Sequence, residues 1–391
     1  MDDTIIKPYI SKRKRKSAQK RETDVVKGVR EQPNSEDIKK IFLTDDVVYQ
    51  NTLRNPHGNR CSKFLSQCKV ITDGPLWKIK WCKKFSHLLS TTSHNSIRLY
   101  DVMKGSEMRC VFDSSLSGDA RSYKDLDWSR SSRQIVACSF DKTIETWDFL
   151  CSGNQSLCIS LPEIPSVVRW SNEDDNLLLV GGANSFLASY DIRSGRKAIS
   201  YKSQFGNLLS IDSFSDTGTF VATGDVVSRQ SAQYSIIVWD FATGAKLSDQ
   251  IFQERYSCPA VSVHPSETSF LAQTNGNYIA RFNATSPYRL DKYLRYDQHT
   301  VEGYPVGFDI SPDGTIVVSG SSDGSVVFYK YTSGAVLKRI MLQDNISFRN
   351  LGTSSSGTSV QKSPIVSVQF HPVLQSMVAV SDWTGKLHLL K

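Results

Sequence analysis

A unit of roughly forty residues recurs along most of this chain, and it limits the possible folds more than any other feature. Each copy contains an alternating strand, a turn, a strand of small residues, a tight turn, and a strand that ends in an aromatic residue, often followed by Asp. A clear copy is SYKDLDWSRSSRQIVACSFDKTIETWDF at 122–149. Further copies begin near residues 75, 165, 208, 259, 305 and 364.

The repeat period and the four strands in each unit predict an all-β, seven-bladed WD-repeat β-propeller. The expected blades cover about 75–121, 122–163, 164–207, 208–258, 259–304, 305–345 and 364–391. Their last aromatic residues are Tyr100, Trp147, Tyr190, Trp239, Phe282 and Tyr329, with Leu389 at this place in the seventh copy. We expect these side chains to fill the space between neighbouring blades.

The tight turn before each aromatic strand contains a carboxylate in two copies, Asp141 and Asp323. An Asp at this place can accept hydrogen bonds from backbone N–H groups and hold the turn closed. Three other copies have a different residue there: His94, Asn184 and Thr384. We therefore expect those three turns to depend more on packing.

The seventh copy has no fourth strand, because the sequence ends at SDWTGKLHLLK. Before the first copy lies CSKFLSQCKVI at 61–71, in which Phe64, Cys68 and Val70 share one face of a strand. We expect this segment to pair with 386–390 and close the ring, which would leave no open sheet edge. Residues 61–391 would then form the propeller.

Residues 1–60 lack the repeat, and we expect a basic, largely disordered extension there. Residues 1–40 carry twelve Lys and Arg against seven Asp and Glu, a balance of +5, which leaves +3 of the total +8 for the other 351 residues. The run KRKRK is a candidate nuclear-import signal, with a solvated charged tail as the alternative: Lys12, Arg13, Lys14, Arg15 and Lys16. A Ser/Gly/Thr-rich insertion at 341–363 predicts a long surface loop.

The stretch SPYRLDKYLRYDQHTVEGY at 286–304 alternates cations with tyrosines. Such a pattern can bind single-stranded RNA, but the repeat requires an outer strand of blade five here, and we favour the strand. KIKWCKK at 78–84 similarly predicts a strand with exposed lysines. The residues that we propose for partner binding are Arg289, Arg295, His299, Glu302 and Tyr304.

Three common motifs for catalysis or nucleotide binding are missing from the sequence: it contains no GxGxxG, GxxxxGK[ST] or HExxH. The eight cysteines do not have zinc-site spacing, and no apolar run is long enough to span a membrane. We therefore expect no catalytic residue, no metal, no cofactor and no membrane attachment. The absence of a secretory signal favours the nucleus, with the cytoplasm as a second location.

A family resemblance supports this interpretation. The stretch SRQSAQYSIIVWDFATGAKLSDQIFQERYSCPAVSVHPSETSFLAQTNGNYIARF resembles the WD repeat-containing protein 25 family, as does KPYISKRKRK near the start. The stretch HTVEGYPVGFDISPDG is similar to the propeller of pre-mRNA-processing factor 17, a spliceosomal scaffold. The resemblance implies a non-enzymatic nuclear propeller, and only the second relative implies a link to splicing.

The function that we expect is a scaffold for protein–protein interaction that is monomeric within a larger complex. We expect that complex to be spliceosomal, with RNA contact secondary. Two alternatives stay open: a substrate-receptor or trafficking adaptor, and an enzyme with a site in the central channel. Fold alone does not separate them.

Overall fold

The computed structural model describes residues 71–72, 76–93, 96–102, 107–113, 122–148, 155–172, 174–203, 205–215, 217–225, 235–254, 256–342 and 363–391. The strands in these ranges form seven antiparallel sheets of four strands each. The predicted seven-bladed, all-β propeller is therefore confirmed. The import candidate at 12–16 and the rest of the N-terminal extension lie outside the described residues.

The strands of the first part of the chain alternate with short turns. In chain order they are β1 (Ile71–Thr72), β2 (Lys78–Trp81), β3 (Leu88–Thr92), β4 (Ser96–Asp101), β5 (Glu107–Asp113), β6 (Tyr123–Trp128), β7 (Gln134–Ser139), β8 (Thr143–Asp148), β9 (Gln155–Ser160), β10 (Pro165–Trp170), β11 (Leu177–Gly182), β12 (Leu187–Asp191) and β13 (Arg196–Ser200).

The second part continues the same pattern. Its strands are β14 (Leu208–Ser213), β15 (Thr219–Gly224), β16 (Ile236–Asp240), β17 (Lys246–Ser248), β18 (Ala260–Val263), β19 (Ser269–Thr274), β20 (Tyr278–Asn283), β21 (Leu290–Tyr296), β22 (Phe308–Ile310), β23 (Ile316–Ser319), β24 (Ser325–Lys330), β25 (Val336–Met341), β26 (Ile365–Phe370), β27 (Val378–Asp382) and β28 (Lys386–Leu390). No helix that could cross a membrane occurs among the described residues.

Blades one to six are meanders of four consecutive strands that begin with β2, β6, β10, β14, β18 and β22. The first strands of neighbouring blades contact each other around the whole ring, from β2 through β6, β10, β14, β18, β22 and β26 back to β2. The first strands therefore surround the central axis. The fourth strands form the outer rim, where most residues of β13, β17 and β25 are exposed or partly exposed.

Two distant segments of the chain together complete the seventh blade. Its sheet has the order β1, β28, β27, β26. Ile71 lies opposite Leu387, and Thr72 lies opposite Lys386, in antiparallel register. This pairing closes the ring at the place that the sequence predicts. The structure describes only Ile71 of the expected 61–71 segment, and 61–70 lies outside the described residues.

The hydrophobic core is divided into seven clusters, one at each interface between neighbouring blades. The aromatic residues that end the third strands pack toward the preceding blade: Trp147 toward blade one, Trp239 toward blade three, and Tyr329 toward blade five. Trp239 and Tyr329 are completely buried. Burying one such side chain contributes about 1.5–3 kcal/mol, so the repeated aromatic residue stabilises each interface.

The seventh blade differs from the prediction at this place. Gly385 and Gly324 are equivalent turn residues with positive φ, and counting from them aligns Leu390 with Tyr329. Leu390 is completely buried in the cluster between blades six and seven, whereas Leu389 packs on the blade-one side. Leu390, and not Leu389, therefore takes the place of the aromatic residue.

The turn carboxylates accept hydrogen bonds as their chemistry suggests. Asp141 accepts the backbone N–H of Thr143 at 3.1 Å, and Asp323 accepts that of Ser325 at 2.9 Å. In blade seven, Asp382 accepts the backbone N–H of Lys386 and the hydroxyl of Thr384, both at 2.8 Å. That turn therefore has a carboxylate after all, two residues earlier than expected. His94 lies outside the described residues.

Candidate partner-binding face

The two faces of the ring differ in the loops that they carry. Because each blade is an antiparallel meander, the turns between first and second strands lie on one face. The turns between second and third strands lie on the other face, together with the linkers between blades. We call the second one the linker face. Four exposed large apolar residues lie on it: Phe140, Ile164, Tyr256 and Trp383.

Three aromatic side chains meet on the linker face where blades six, seven and one adjoin. The ring of Trp383 is 5.3 Å from that of Trp77 and 5.0 Å from that of Tyr304, both edge-to-face. We call these three residues the aromatic rim. Trp383 is 38% exposed. Part of its indole ring therefore remains in contact with solvent, although burial of that apolar surface would be favourable.

The backbone fixes two members of the aromatic rim. Trp383 occupies the tight turn of blade seven, where its backbone N–H donates to the carbonyl of Pro364 at 2.8 Å. Trp77 directly precedes β2, and its N–H donates to the carbonyl of Thr92 at 3.1 Å. Tyr304 lies in the linker between blades five and six. The aromatic rim is thus held by a turn and two linkers of the closed ring.

A ring of polar side chains lies below this face, at equivalent positions of the seven first strands: Lys80, Asp127, Arg169, Asp212, Ser262, Asp309 and Gln369. Every second blade contributes an Asp. Each Asp accepts a backbone N–H of the next blade: Asp127 from Trp170 at 2.9 Å, Asp212 from Val263 at 2.7 Å, and Asp309 from Phe370 at 2.8 Å. These carboxylates therefore fasten neighbouring blades together beside the channel.

The charges on the channel wall of blades one to three are partly paired. Lys80 lies 3.6 Å from Asp127, and Arg169 lies 2.6 Å from Oδ2 of Asp125. Burial opposes ionisation of Asp125, but the Arg169 guanidinium holds its pKa below the usual value. The other oxygen of Asp125, Oδ1, is buried and accepts no hydrogen bond in the part of the chain that is described.

Lys78 is the first residue of β2 and is partly buried on the same wall. Burial lowers the pKa of its ammonium group to about 8, although the nearby Asp125 opposes this shift. The backbone N–H of Lys78 donates to the Thr92 hydroxyl. Its ammonium group makes no hydrogen bond or ion pair within the described ranges. Lys78 is therefore a cation with no carboxylate at ion-pair distance among the described residues, although Asp125 lies on the same wall.

His299, which the sequence suggested as a partner-binding residue, lies in the interior with only 2% of its surface exposed. Its Nε2 accepts the amide of Gln273 at 2.6 Å, so Nδ1 carries the proton and donates to the Tyr329 hydroxyl at 2.8 Å. Burial lowers its pKa to about 4. In the structure His299 fastens blades five and six together, and its side chain is not at the surface.

The other proposed residues do not form one site. Arg289 directly precedes β21 and Arg295 lies near its other end, so about 20 Å of extended chain separates them. The Arg295 guanidinium is 2.7 Å from Glu254 and stacks 4.4 Å above the Tyr278 ring. Glu302 is exposed in the linker, and of these five residues only Tyr304 contributes to the aromatic rim.

Several residues of this face escaped prediction. Lys78 and Lys80 were expected to be exposed, yet both line the channel and are only partly accessible. Trp383 was visible in DWTG as a large aromatic residue in a tight turn. The Asp residues directly before the last residue of the first strand repeat in DLDW, SIDS and GFDI. No group of three or more potential metal ligands gathers among the described side chains.

Comparisons with known proteins agree with this architecture. The family model for the WD domain, G-beta repeat, matches residues 112–148 and 295–330. WD repeat-containing protein 25 of Mus musculus is 33% identical over 319 residues, which cover 81% of this chain and 55% of that protein.

Pre-mRNA-processing factor 17 is a more distant relative. The Homo sapiens protein is 25% identical over 307 residues, 77% of this chain and 47% of that protein. The Saccharomyces cerevisiae protein is 23% identical over 315 residues, 80% of this chain and 63% of that protein. The chain therefore spans about half the length of the curated relatives it matches. The chain is a seven-bladed β-propeller of WD repeats, similar in sequence to WD repeat-containing protein 25 and, at lower identity, to pre-mRNA-processing factor 17.

Proposed function

We propose that this chain is a non-enzymatic scaffold that binds protein partners on its linker face, within a nuclear complex that takes part in pre-mRNA splicing. The observation that carries the binding function is the aromatic rim. Backbone hydrogen bonds hold two of its three residues in place, and all three remain at least partly exposed, as residues that anchor a partner commonly are before binding.

Two further observations support the proposal. The family model that matches is a structural repeat and is not a catalytic domain. The relatives named pre-mRNA-processing factor 17 align with more than three quarters of this chain, and the alignment supports a related role for the propeller. RNA contact is secondary, because Arg295 is engaged by Glu254 and Tyr278.

Affinity purification tests the scaffold function. A tagged copy of the chain is purified from nuclear extract with and without ribonuclease, beside the variants Trp383→Ala and Tyr293→Ala. Tyr293 is fully exposed on the outer strand β21 and serves as the matched control. We expect splicing proteins that survive ribonuclease, that are lost with Trp383→Ala, and that are retained with Tyr293→Ala.

Other results would contradict the proposal. Capture of ubiquitin-ligase or coat subunits without ribonucleoprotein would favour the adaptor function. Loss of every splicing protein after ribonuclease would indicate that RNA carries the association. Equal capture by wild type and Trp383→Ala would exclude the aromatic rim as the binding site.

The location of the chain can be tested separately. Replacing all five cations at 12–16 by Gln removes the candidate import signal. We expect the tagged protein to move from the nucleus to the cytoplasm, while its thermal stability is unchanged. Unaltered nuclear accumulation would reject this segment as the signal.

A further inference from the structure

We infer that the linker face binds an extended segment of a protein partner in which a carboxylate side chain lies next to a proline or an aromatic residue. This inference rests on the proposed scaffold function and names the chemistry of the partner. The aromatic rim would hold the apolar residue, and Lys78 would bind the carboxylate.

The geometry of the aromatic rim suits a flat or kinked apolar residue. Trp77 and Trp383 meet at an interplanar angle of 87°, and Tyr304 and Trp383 meet at 67°. Edge-to-face rings leave grooves between their planes, and aromatic grooves of this kind bind proline-containing segments in other recognition domains. In blade six, the place that Trp383 occupies in blade seven holds the small residue Ser322, so the turn itself does not require an aromatic residue.

Lys78 supplies the charge that selects the partner. It follows Trp77 directly in the chain, and no carboxylate of the described residues lies at ion-pair distance from its ammonium group. Two further cations on the same wall, Lys80 and Arg169, are paired with Asp127 and Asp125. A partly buried cation without an anion is unfavourable, and a carboxylate from a partner would relieve that cost.

The same charges favour a single carboxylate over the phosphate backbone of a nucleic acid. Binding of a nucleic acid requires several cations along its path, whereas Lys80 and Arg169 on this wall are already paired with Asp127 and Asp125. Asp125 and Asp127 lie on the same wall, and Glu302 is exposed in the linker that contains Tyr304. These carboxylates would repel a polyanion, but one glutamate or aspartate side chain can reach one ammonium group.

A selection experiment tests this inference on the intact chain. Phage-displayed random peptides are selected on the wild-type protein, and the enriched peptides are synthesised with a fluorescent label. Their affinities are measured by fluorescence anisotropy for wild type, Trp383→Ala, Lys78→Met and the charge-matched control Lys202→Met, whose side chain is exposed in the linker between blades three and four, apart from the aromatic rim. Each peptide is also made with its acidic residue changed to the amide.

We expect enriched peptides to contain Asp or Glu beside Pro or an aromatic residue. The change from Glu to Gln in the peptide should weaken binding to wild type and to Lys202→Met about tenfold, and should have no effect on binding to Lys78→Met. Trp383→Ala should weaken every peptide. This pattern would couple the carboxylate to Lys78 specifically.

Four results would overturn the inference. Peptides that depend on Trp383 but carry no acidic residue would leave the binding face in place and reject the role of Lys78. If the change from Glu to Gln in the peptide weakened binding to Lys78→Met as much as binding to wild type, the role of Lys78 would also be rejected. Peptides that bind Trp383→Ala as tightly as wild type would reject the linker face itself, and with it the proposed function. Competition of single-stranded RNA with the peptides, together with a loss of affinity on Lys78→Met that does not depend on the acidic residue of the peptide, would point to a nucleic acid as the ligand.

Discussion

Two polar regions of the ring differ in how completely their hydrogen bonds are made. Between blades five and six, His299 contacts Gln273 and Tyr329, and the single proton of the Ser319 hydroxyl is shared between the Gly320 carbonyl at 2.9 Å and Oε1 of Gln273 at 3.4 Å. On the channel wall of blades one to three, the Lys78 ammonium and Oδ1 of Asp125 lack such contacts among the described residues.

This difference separates polar side chains that stabilise the fold from polar side chains that are available to a ligand. A buried network whose members are all hydrogen-bonded strengthens an interface, whereas an unsatisfied group costs stability. Natural chains retain such costs at sites that a ligand completes. The blade five–six network therefore belongs to the scaffold, and Lys78 belongs to the binding face. The following predictions test each side of this comparison.

The largest effect is expected at the paired part of the channel wall. Arg169→Met leaves Asp125 buried without its counter-ion, which should reduce the free energy of unfolding by about 3–5 kcal/mol. The double variant Arg169→Met with Asp125→Asn should recover much of that loss. Urea denaturation measures both. If the double variant lost as much free energy of unfolding as Arg169→Met, the loss would not come from leaving the Asp125 carboxylate without its counter-ion.

The hydrogen-bonded network around His299 should make the free energy of unfolding depend on pH. The pKa of His299 is lowered to about 4, against about 6.5 in the unfolded chain. The unfolded state therefore binds more protons between these values, so this contribution is complete above pH 6.5 and decreases as the pH falls to 4. The loss amounts to about 3 kcal/mol. His299→Gln should flatten the dependence of unfolding free energy on pH in this window.

Asp309 provides a control of opposite sign. Burial raises its pKa to about 6, although the hydrogen bond from Phe370 opposes the shift. Its folded state binds the proton more tightly than the unfolded state, so its contribution increases as the pH falls through 6. Asp309→Asn should therefore make the loss of stability toward pH 4 steeper. If His299→Gln and Asp309→Asn changed the slope of unfolding free energy against pH in the same direction, the opposite effects assigned to these two groups would be wrong.

A smaller effect is expected from one hydroxyl of the network. Tyr329→Phe leaves the N–H of His299 without its acceptor, which should cost about 1–3 kcal/mol. Tyr293→Phe removes the same atom from a fully exposed side chain and should leave the melting temperature unchanged. Equal shifts for both variants would show that the network contributes nothing specific.

The sequence predicts the architecture well because the propeller is a repeat, and each copy supports the interpretation of the others. Position by position, the pattern was less reliable. Leu389 and Leu390 are adjacent and chemically equal, so only the register of β27 and β28 could decide which one faces blade six. Asp382 was overlooked because its carboxylate reaches forward to Lys386 across the turn.

The binding face was harder to predict, since it combines linkers that are far apart in the chain. Trp77, Tyr304 and Trp383 become neighbours only when the ring closes. His299 and Tyr304 are close in sequence and have similar polarity, yet one is buried and the other lies at the surface. Burial of that kind depends on the neighbouring blade, which local sequence does not specify.

The most direct test of this comparison is the stability of Lys78→Met, measured by urea denaturation beside Tyr329→Phe. If Lys78 is retained for binding, removing its unpaired charge should leave the free energy of unfolding unchanged or raise it. A loss as large as that of Tyr329→Phe would contradict the account, because Lys78 would then be a structural residue of the ring.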